Sequence, residues 1–205
     1  MKNYEYIVAG LPVVNEDFKF GDTTPEQFIE EIRSQLDKKD NSLVDFLLKS
    51  YKEENLTPEF YMEASAVRNR FLREFIIFDM NLRNAKVRYL NKALGRPADK
   101  DLMVLADVNG EPLHFPFEEE DAVNAVLAKD DLLARERGLD DLVWDKVSKL
   151  TVFDYFDIDA VLAFIAKMQV AARWFKLDEA TGRELFRKLV DEVRGTFKGV
   201  DFKEQ

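Results

Sequence analysis

Apolar residues recur every three or four positions along most of the chain, which is the spacing of an amphipathic α-helix. The clearest runs consist of Phe71, Phe75, Phe78, Leu82, Ala85 and Tyr89, and of Ile158, Val161, Ile165, Met168, Ala172 and Phe175. Shorter runs of the same spacing lie before, between and after them. The pattern therefore predicts a mainly α fold, a helical bundle with one long helix.

Two of the predicted helices have clear starting signals. Thr24 precedes Pro25 and is followed three positions later by Gln27, the arrangement of a capping box with proline at the first helical position. Thr57 and Pro58 repeat the start. We expect the long helix to run from Pro58 to Leu94.

The two long apolar seams share one period, so we expect their helices to be adjacent and antiparallel in the bundle. In that case the two apolar faces bury each other within the chain. The alternative is that one of them leaves apolar surface for a partner.

Two segments carry weak β patterns. Tyr4, Tyr6 and Val8 alternate before Gly10 and Pro12, which predicts a short N-terminal strand; the alternative is an ordered segment lying on the helical core. In residues 102–115, Asn109-Gly110 predicts a tight turn with two positive φ angles, and so a small β-hairpin; the alternative is an irregular loop.

The second half of the chain is predicted to be helical from Pro116 onward. We expect two short helices, the second ended by Gly138, then a further helix, then the seam from Ile158. Asp178 is expected to cap the last helix. The predicted organisation is a single helical domain over residues 1–198, with a small β appendage from 1–12 and 102–115 and a frayed tail at 199–205.

Charge and composition narrow the range of functions. The net charge of −10 argues against nucleic acid and against an anionic membrane surface, since both favour a basic face. The chain has no cysteine, which suits a reducing compartment. No run of about 18 apolar residues or signal-peptide pattern is visible. We therefore expect a cytoplasmic protein with a protein partner, without nucleic acid and without direct membrane insertion.

No catalytic constellation is visible in the residues. His114 is the single histidine, which leaves too few ligands for a histidine-rich zinc site. The segment "VAGLP" lacks the further glycines and the lysine of a phosphate-binding loop. We therefore expect no catalytic residues, no cofactor and no metal. A small-molecule enzyme that uses scattered carboxylates and arginines is the alternative from another functional class.

Basic residues crowd the long predicted helix of this acidic chain. They include Arg83, Lys86 and Arg88. One interpretation is a solvated face with internal ion pairs. The other is a docking strip for an acidic protein surface, with these three residues as candidates.

Three segments together resemble a known family. They are "YEYIVAGLP", "REFIIFDMNLRNAKVRYLNKALGR" and the stretch from "LVWDKVSKLTVFDYFDID" to "LFRKLVDEVRG". The main marks are Arg83-Asn84, the "FDYFDID" segment, and Trp174 followed by Leu177-Asp178 and Gly182-Arg183. The resemblance is to uncharacterised bacterial proteins encoded in V-type (V/A-type) ATPase operons, in the place where the C subunit of the central stalk is expected.

The resemblance implies a helical, non-catalytic component that acts by protein–protein contact. Its partners would be other ATPase subunits of the stalk or the membrane rotor ring, so the chain would be cytoplasmic and peripheral to the membrane through the complex. Trp174, one of the residues that carry the resemblance, is a further docking candidate. The C subunit is larger and built from repeated helical units, and no such repeat is visible here. A helical adaptor unrelated to the ATPase is therefore the other alternative.

Overall fold

The computed structural model describes residues 4–15, 18, 20 and 23–176. Within these residues the fold is mainly α, as the sequence predicts. The helices are α1 (Tyr4–Gly10), α2 (Pro25–Gln35), α3 (Lys38–Lys49), a short 3-10 helix (Glu53–Asn55), α4 (Pro58–Ala66), α5 (Arg70–Ala93), α6 (Glu120–Leu127), α7 (Leu132–Leu150) and α8 (Ile158–Lys176). The expected helix capped by Asp178 and the expected frayed tail at 199–205 lie outside the described residues.

Local capping chemistry starts α2 and α4 where the sequence predicts. The Thr24 hydroxyl accepts a hydrogen bond from the Gln27 amide at 3.2 Å, and the Gln27 side chain accepts one from the Thr24 amide at 2.8 Å. The Thr57 hydroxyl accepts from the Phe60 amide at 3.3 Å. These bonds satisfy backbone N–H groups that lack a partner within the helix.

The long helix predicted from Pro58 to Leu94 is divided in two. Val67 adopts an extended conformation after α4, and Asn69 caps α5 by accepting a hydrogen bond from the Leu72 amide at 2.8 Å. The prediction of one continuous helix is therefore wrong, because an asparagine cap restarts the chain. The apolar seam from Phe71 to Ala85 is buried on α5 as predicted.

The predicted N-terminal strand is helix α1. Its buried residue is Ile7, and Tyr4, Val8 and Leu11 pack against the same core, so the apolar period is three to four residues. Tyr6, which the alternating pattern placed beside Tyr4, points into solvent. Packing on the core therefore overrides the weak alternation.

The segment 102–115 contains an isolated antiparallel bridge between Ala106 and Pro112. Gly110 has a φ of +83°, but Asn109 is not among the described residues with positive φ. The Asp107 carboxylate closes the turn by accepting hydrogen bonds from the Asn109 and Glu111 amides at 2.8 and 2.9 Å. The predicted hairpin is thus reduced to one bridge, and the two-residue turn with paired positive φ angles is wrong.

Gly138 lies inside α7 instead of ending a helix. A Cβ at this position would lie 2.9 Å from Cγ1 of Val126 on α6. The glycine therefore permits α6 and α7 to approach closely, and α7 continues to Leu150. The two helices predicted on either side of Gly138 are one.

Other helices of the same chain bury the apolar face of α8. Val161, Ile165 and Met168 are fully buried, and α8 packs against α7, α3, α1 and α2. The larger of two core clusters joins these elements to the first half of α5, and the smaller joins the second half of α5 to α6 and α7.

The direction of α8 relative to α5 differs from the prediction. Arg70 at the start of α5 contacts Leu150 at the end of α7, and Arg135 near the start of α7 lies over Tyr89 near the end of α5. Helix α7 is therefore antiparallel to α5. It is also antiparallel to α8, because Asp140 contacts Trp174 at the far end of α8. Helices α5 and α8 consequently run in the same direction. They meet near their starts, where Asn69 contacts Asp159, but α5 is not among the main packing partners of α8. The prediction of adjacent, antiparallel helices is therefore wrong.

Candidate interaction surfaces

A loop of exposed aromatic residues joins α7 to α8. It comprises residues 151–157, which we call the aromatic loop. Four of its large side chains are mostly exposed: Val152 by 54%, Phe153 by 83%, Tyr155 by 67% and Phe156 by 56%. Single exposed apolar residues are ordinary, but a contiguous group is typical of an interaction site.

Hydrogen bonds fix the path of this loop. The Thr151 hydroxyl donates to the Val147 carbonyl at 2.9 Å, and the Asp154 amide donates to the Thr151 carbonyl at 3.1 Å. At the other end, the Asp157 carboxylate caps α8 by accepting from the Ala160 amide at 3.0 Å. The exposed rings therefore sit on a backbone whose ends are tied to two helices.

The start of α5 also holds the loop. The Arg70 guanidinium donates to the Leu150 carbonyl at 2.7 Å and lies 3.3 Å from the Asp154 carboxylate. The Asn69 side-chain amide donates to the Asp159 carboxylate in the first turn of α8. Three helices thus position the aromatic loop, and a partner would meet it already ordered.

The loop and the adjoining turn of α8 are acidic. Burial raises the pKa of Asp159, and the neighbouring charges of Asp157 and Asp154 raise it further. The hydrogen bond from Asn69 and the charge of Arg70 act in the opposite direction. Negative charge is therefore concentrated beside the exposed rings.

The predicted docking strip on α5 forms ion pairs within the chain. Arg83 Nε lies 2.7 Å from the Asp79 carboxylate one turn earlier, and Arg88 Nε lies 3.1 Å from the Asp99 carboxylate. The charge of Lys86 acts on both Asp79 and Asp140. These pairs fit the interpretation of a solvated face with internal ion pairs, and docking by the three residues stays a prediction.

The Asp79 carboxyl lies in a partly buried polar cluster. Burial raises its pKa, although the charge and hydrogen bond of Arg83 lower it in part. The hydroxyl of Tyr61 on α4 is a neighbour, and burial also raises the pKa of this tyrosine. The cluster ties α4 to the middle of α5.

Trp174 is half-buried and locks the end of α8 onto α7. Its indole N–H donates to the buried Asp140 carboxylate at 2.7 Å, and Arg173 donates to the other carboxylate oxygen at 2.9 Å. The Arg137 guanidinium lies 5.0 Å from the centre of the indole ring. These contacts within the chain hold the indole ring of Trp174, and docking by Trp174 stays a prediction.

A cavity of about 330 Å³ lies where α4, α5 and α7 meet the segment before α6. Ile77, Phe78, Phe115 and Phe117 form its apolar wall. Its polar lining includes Arg73, Glu74 and the Lys146–Glu119 ion pair, whose atoms are 2.9 Å apart. Its size falls at the lower end of the range of small-molecule sites, about 300–1,000 Å³.

The sequence did not identify the aromatic loop or the cavity as candidate sites. The segment "FDYFDID" contributes to the family resemblance, but the sequence does not show whether its aromatic side chains are exposed or buried. The cavity is lined by residues from Ser65 to Lys146, which only the fold brings together.

Two kinds of feature are absent from the described part of the chain. There, no group of three or more His, Asp or Glu side chains is placed to hold a metal ion. None of the described helices has the length and apolar character needed to cross a bilayer.

Comparison with known proteins gives one match. The family model described as "Protein of unknown function (DUF2764)" matches residues 52–196, more than half of the chain. The chain belongs to this family. The DUF2764 match includes α4 to α8 and the aromatic loop, whereas α1 to α3 precede it. No curated protein and no solved structure matches the chain.

Proposed function

We propose that this protein is a non-catalytic, cytoplasmic component of a V-type ATPase that acts by protein–protein contact, in the manner of the C subunit of the central stalk. The observation that carries the contact function is the aromatic loop, whose four large side chains are exposed on a hydrogen-bonded backbone. The ATPase as partner rests on the sequence resemblance described above. Its other subunits in the stalk or rotor ring are the proposed partners.

The physical reason to propose contact is the free energy of burying the loop. Each fully buried Phe or Tyr side chain contributes roughly 1.5–3 kcal/mol relative to exposure. Aromatic side chains are also enriched among the residues that dominate binding energy at interfaces. A partner that covers Phe153, Tyr155 and Phe156 would therefore gain several such contributions.

An enzyme of the alternative kind would need a cavity and carboxyl groups with shifted pKa values at the same site. The cavity supplies a concave site, but among the described residues the carboxyl groups whose pKa is raised by burial are Asp79, Asp140 and Asp159. None of these three lines the cavity. Carboxyls with shifted pKa values are the usual acids and bases of such sites, so protein contact is the better-supported function.

The experiment is co-purification from cells of the source organism. The full chain carries an affinity tag, and the V-type ATPase subunits recovered with it are quantified by mass spectrometry. We expect the wild type to recover stalk subunits, and the double variant Phe153→Ser with Tyr155→Ser to lose them. Because both side chains are exposed, the free energy of unfolding should change by no more than about 0.5 kcal/mol per substitution.

Tyr6→Ser is the matched control, since Tyr6 is an exposed aromatic residue that belongs to α1 and not to the loop. It should retain the ATPase subunits. Recovery of a different protein that depends on Phe153 and Tyr155 would favour the unrelated adaptor. Recovery of ATPase subunits by the double variant at wild-type level would show that the loop is not the contact.

A further inference from the structure

The exposed rings of the aromatic loop limit the shape of the surface that could cover them. Phe153, Tyr155 and Phe156 project from a turn between two helices. A surface that buries projecting rings must be concave and apolar where it meets them, because interface cores pack as densely as protein interiors. The loop therefore fits a groove in another molecule.

The charge beside the rings limits the partner further. Residues 151–157 contain Asp154 and Asp157 and no lysine or arginine, and Asp159 follows in the first turn of α8. Arg70, which reaches the loop from α5, lies 3.3 Å from Asp154 and offsets its charge, which leaves Asp157 and Asp159 as the acidic groups beside the rings. A groove with basic side chains at its rim would complement this charge, whereas an acidic rim would repel it.

We propose that the aromatic loop inserts into an apolar groove of a protein partner whose rim carries lysine or arginine side chains. This inference rests on the proposed contact function and specifies the chemistry of the partner surface. An anionic membrane is disfavoured, because the loop is acidic and the whole chain has a net charge of −10.

The test is photo-crosslinking of the full chain, expressed in cells of the source organism and irradiated in lysates of set salt concentration. Benzoyl-phenylalanine replaces Phe153, and the peptides that it captures on irradiation are sequenced. The same residue in place of Tyr6 is the positional control. We expect position 153 to capture apolar residues of one protein, with lysine or arginine close by in that protein's surface, and position 6 not to capture them.

Asp157→Asn supplies the test of charge. Asparagine caps helices about as well as aspartate, so the cap on the Ala160 amide is kept while one negative charge is removed. With a basic rim, the yield of the adduct should fall several-fold in this variant at low salt, and the wild-type yield should fall as salt increases. The melting temperature should stay nearly unchanged.

The outcomes separate this inference from the proposed function. Capture of part of the ATPase at a surface without basic residues, with a yield insensitive to salt, overturns the inference and leaves the function. Capture of a different protein at a groove with a basic rim supports the inference and contradicts the proposed function. Capture of lipid, of a second copy of this chain, or of nothing overturns the inference, and co-purification then tests the function by itself.

Discussion

Protonation and folding are linked at the carboxyl group of Asp79. Burial raises its pKa above the value expected for the unfolded chain, so the folded state holds its proton more tightly. The charged form is the unfavourable one after folding. Its contribution to stability is therefore greatest at low pH and is lost as pH rises through the raised pKa.

Asp79→Asn should reveal this linkage. As pH is lowered from about 7 towards about 4, the free energy of unfolding of the wild type should improve relative to that of the variant, because only the wild type gains a proton at this site. Urea unfolding at a series of pH values measures the difference. A difference independent of pH would contradict the predicted shift.

At the scale of elements, the close approach of α6 and α7 depends on a position without a side chain. Gly138→Ala gains helix propensity of about 1 kcal/mol but places a Cβ 2.9 Å from a methyl group of Val126. Val126 is short and stiff, so relief requires the two helices to shift. We expect a net loss of about 1–3 kcal/mol in the free energy of unfolding, as for other overpacked sites.

The compensating variant for this prediction is Val126→Ala, which removes the methyl groups that the new Cβ would meet. In that background Gly138→Ala should be neutral or stabilising. Chemical denaturation of all four proteins gives the coupling between the two positions. A stabilising effect of Gly138→Ala in the wild-type background would mean that the helices accommodate the methyl group freely.

The elements show what a sequence can and cannot predict here. Thr24 and Thr57 start helices through bonds that span three residues, so their positions are readable from the chain. In the sequence, Gly138 resembles a helix end. A glycine is needed there because the backbone approaches Val126 on another helix, and the sequence does not show that contact. The first helix is missed because its short pattern also permits alternation, and only contact of Ile7 with the core decides between them. The aromatic loop is missed because composition alone favours burial of its rings.

On the surface of the whole molecule, the ion pairs of Arg83 and Arg88 differ in how exposed their carboxylate partners are. Arg83 offsets a carboxyl whose pKa burial has raised, whereas Arg88 meets an exposed carboxylate. Reversal of the charge at Arg88 is therefore expected to leave folding nearly intact, whereas reversal at Arg83 is not.

Arg83→Glu should therefore lower the melting temperature clearly, since it places a second negative charge beside Asp79. Arg88→Glu should cost no more than about 1 kcal/mol, as is typical of an exposed pair. Thermal unfolding at matched salt concentration compares the two variants. Co-purification of ATPase subunits with Arg88→Glu then tests docking by the strip without the complication of misfolding. Equal losses of stability would contradict the distinction between the two pairs.

The anchoring of the aromatic loop has a mechanical consequence. Its ends continue into α7 and α8, Arg70 at the start of α5 contacts Asp154 in the loop and Leu150 before it, and Asn69 contacts Asp159 just after it. A force applied to the loop would therefore load three neighbouring helices at the same end. Because α7 packs against both α5 and α8 and runs in the opposite sense to both, a pull along the helix axes would act as shear between packed faces. Such a pull would be distributed over three helices and would not separate them one at a time.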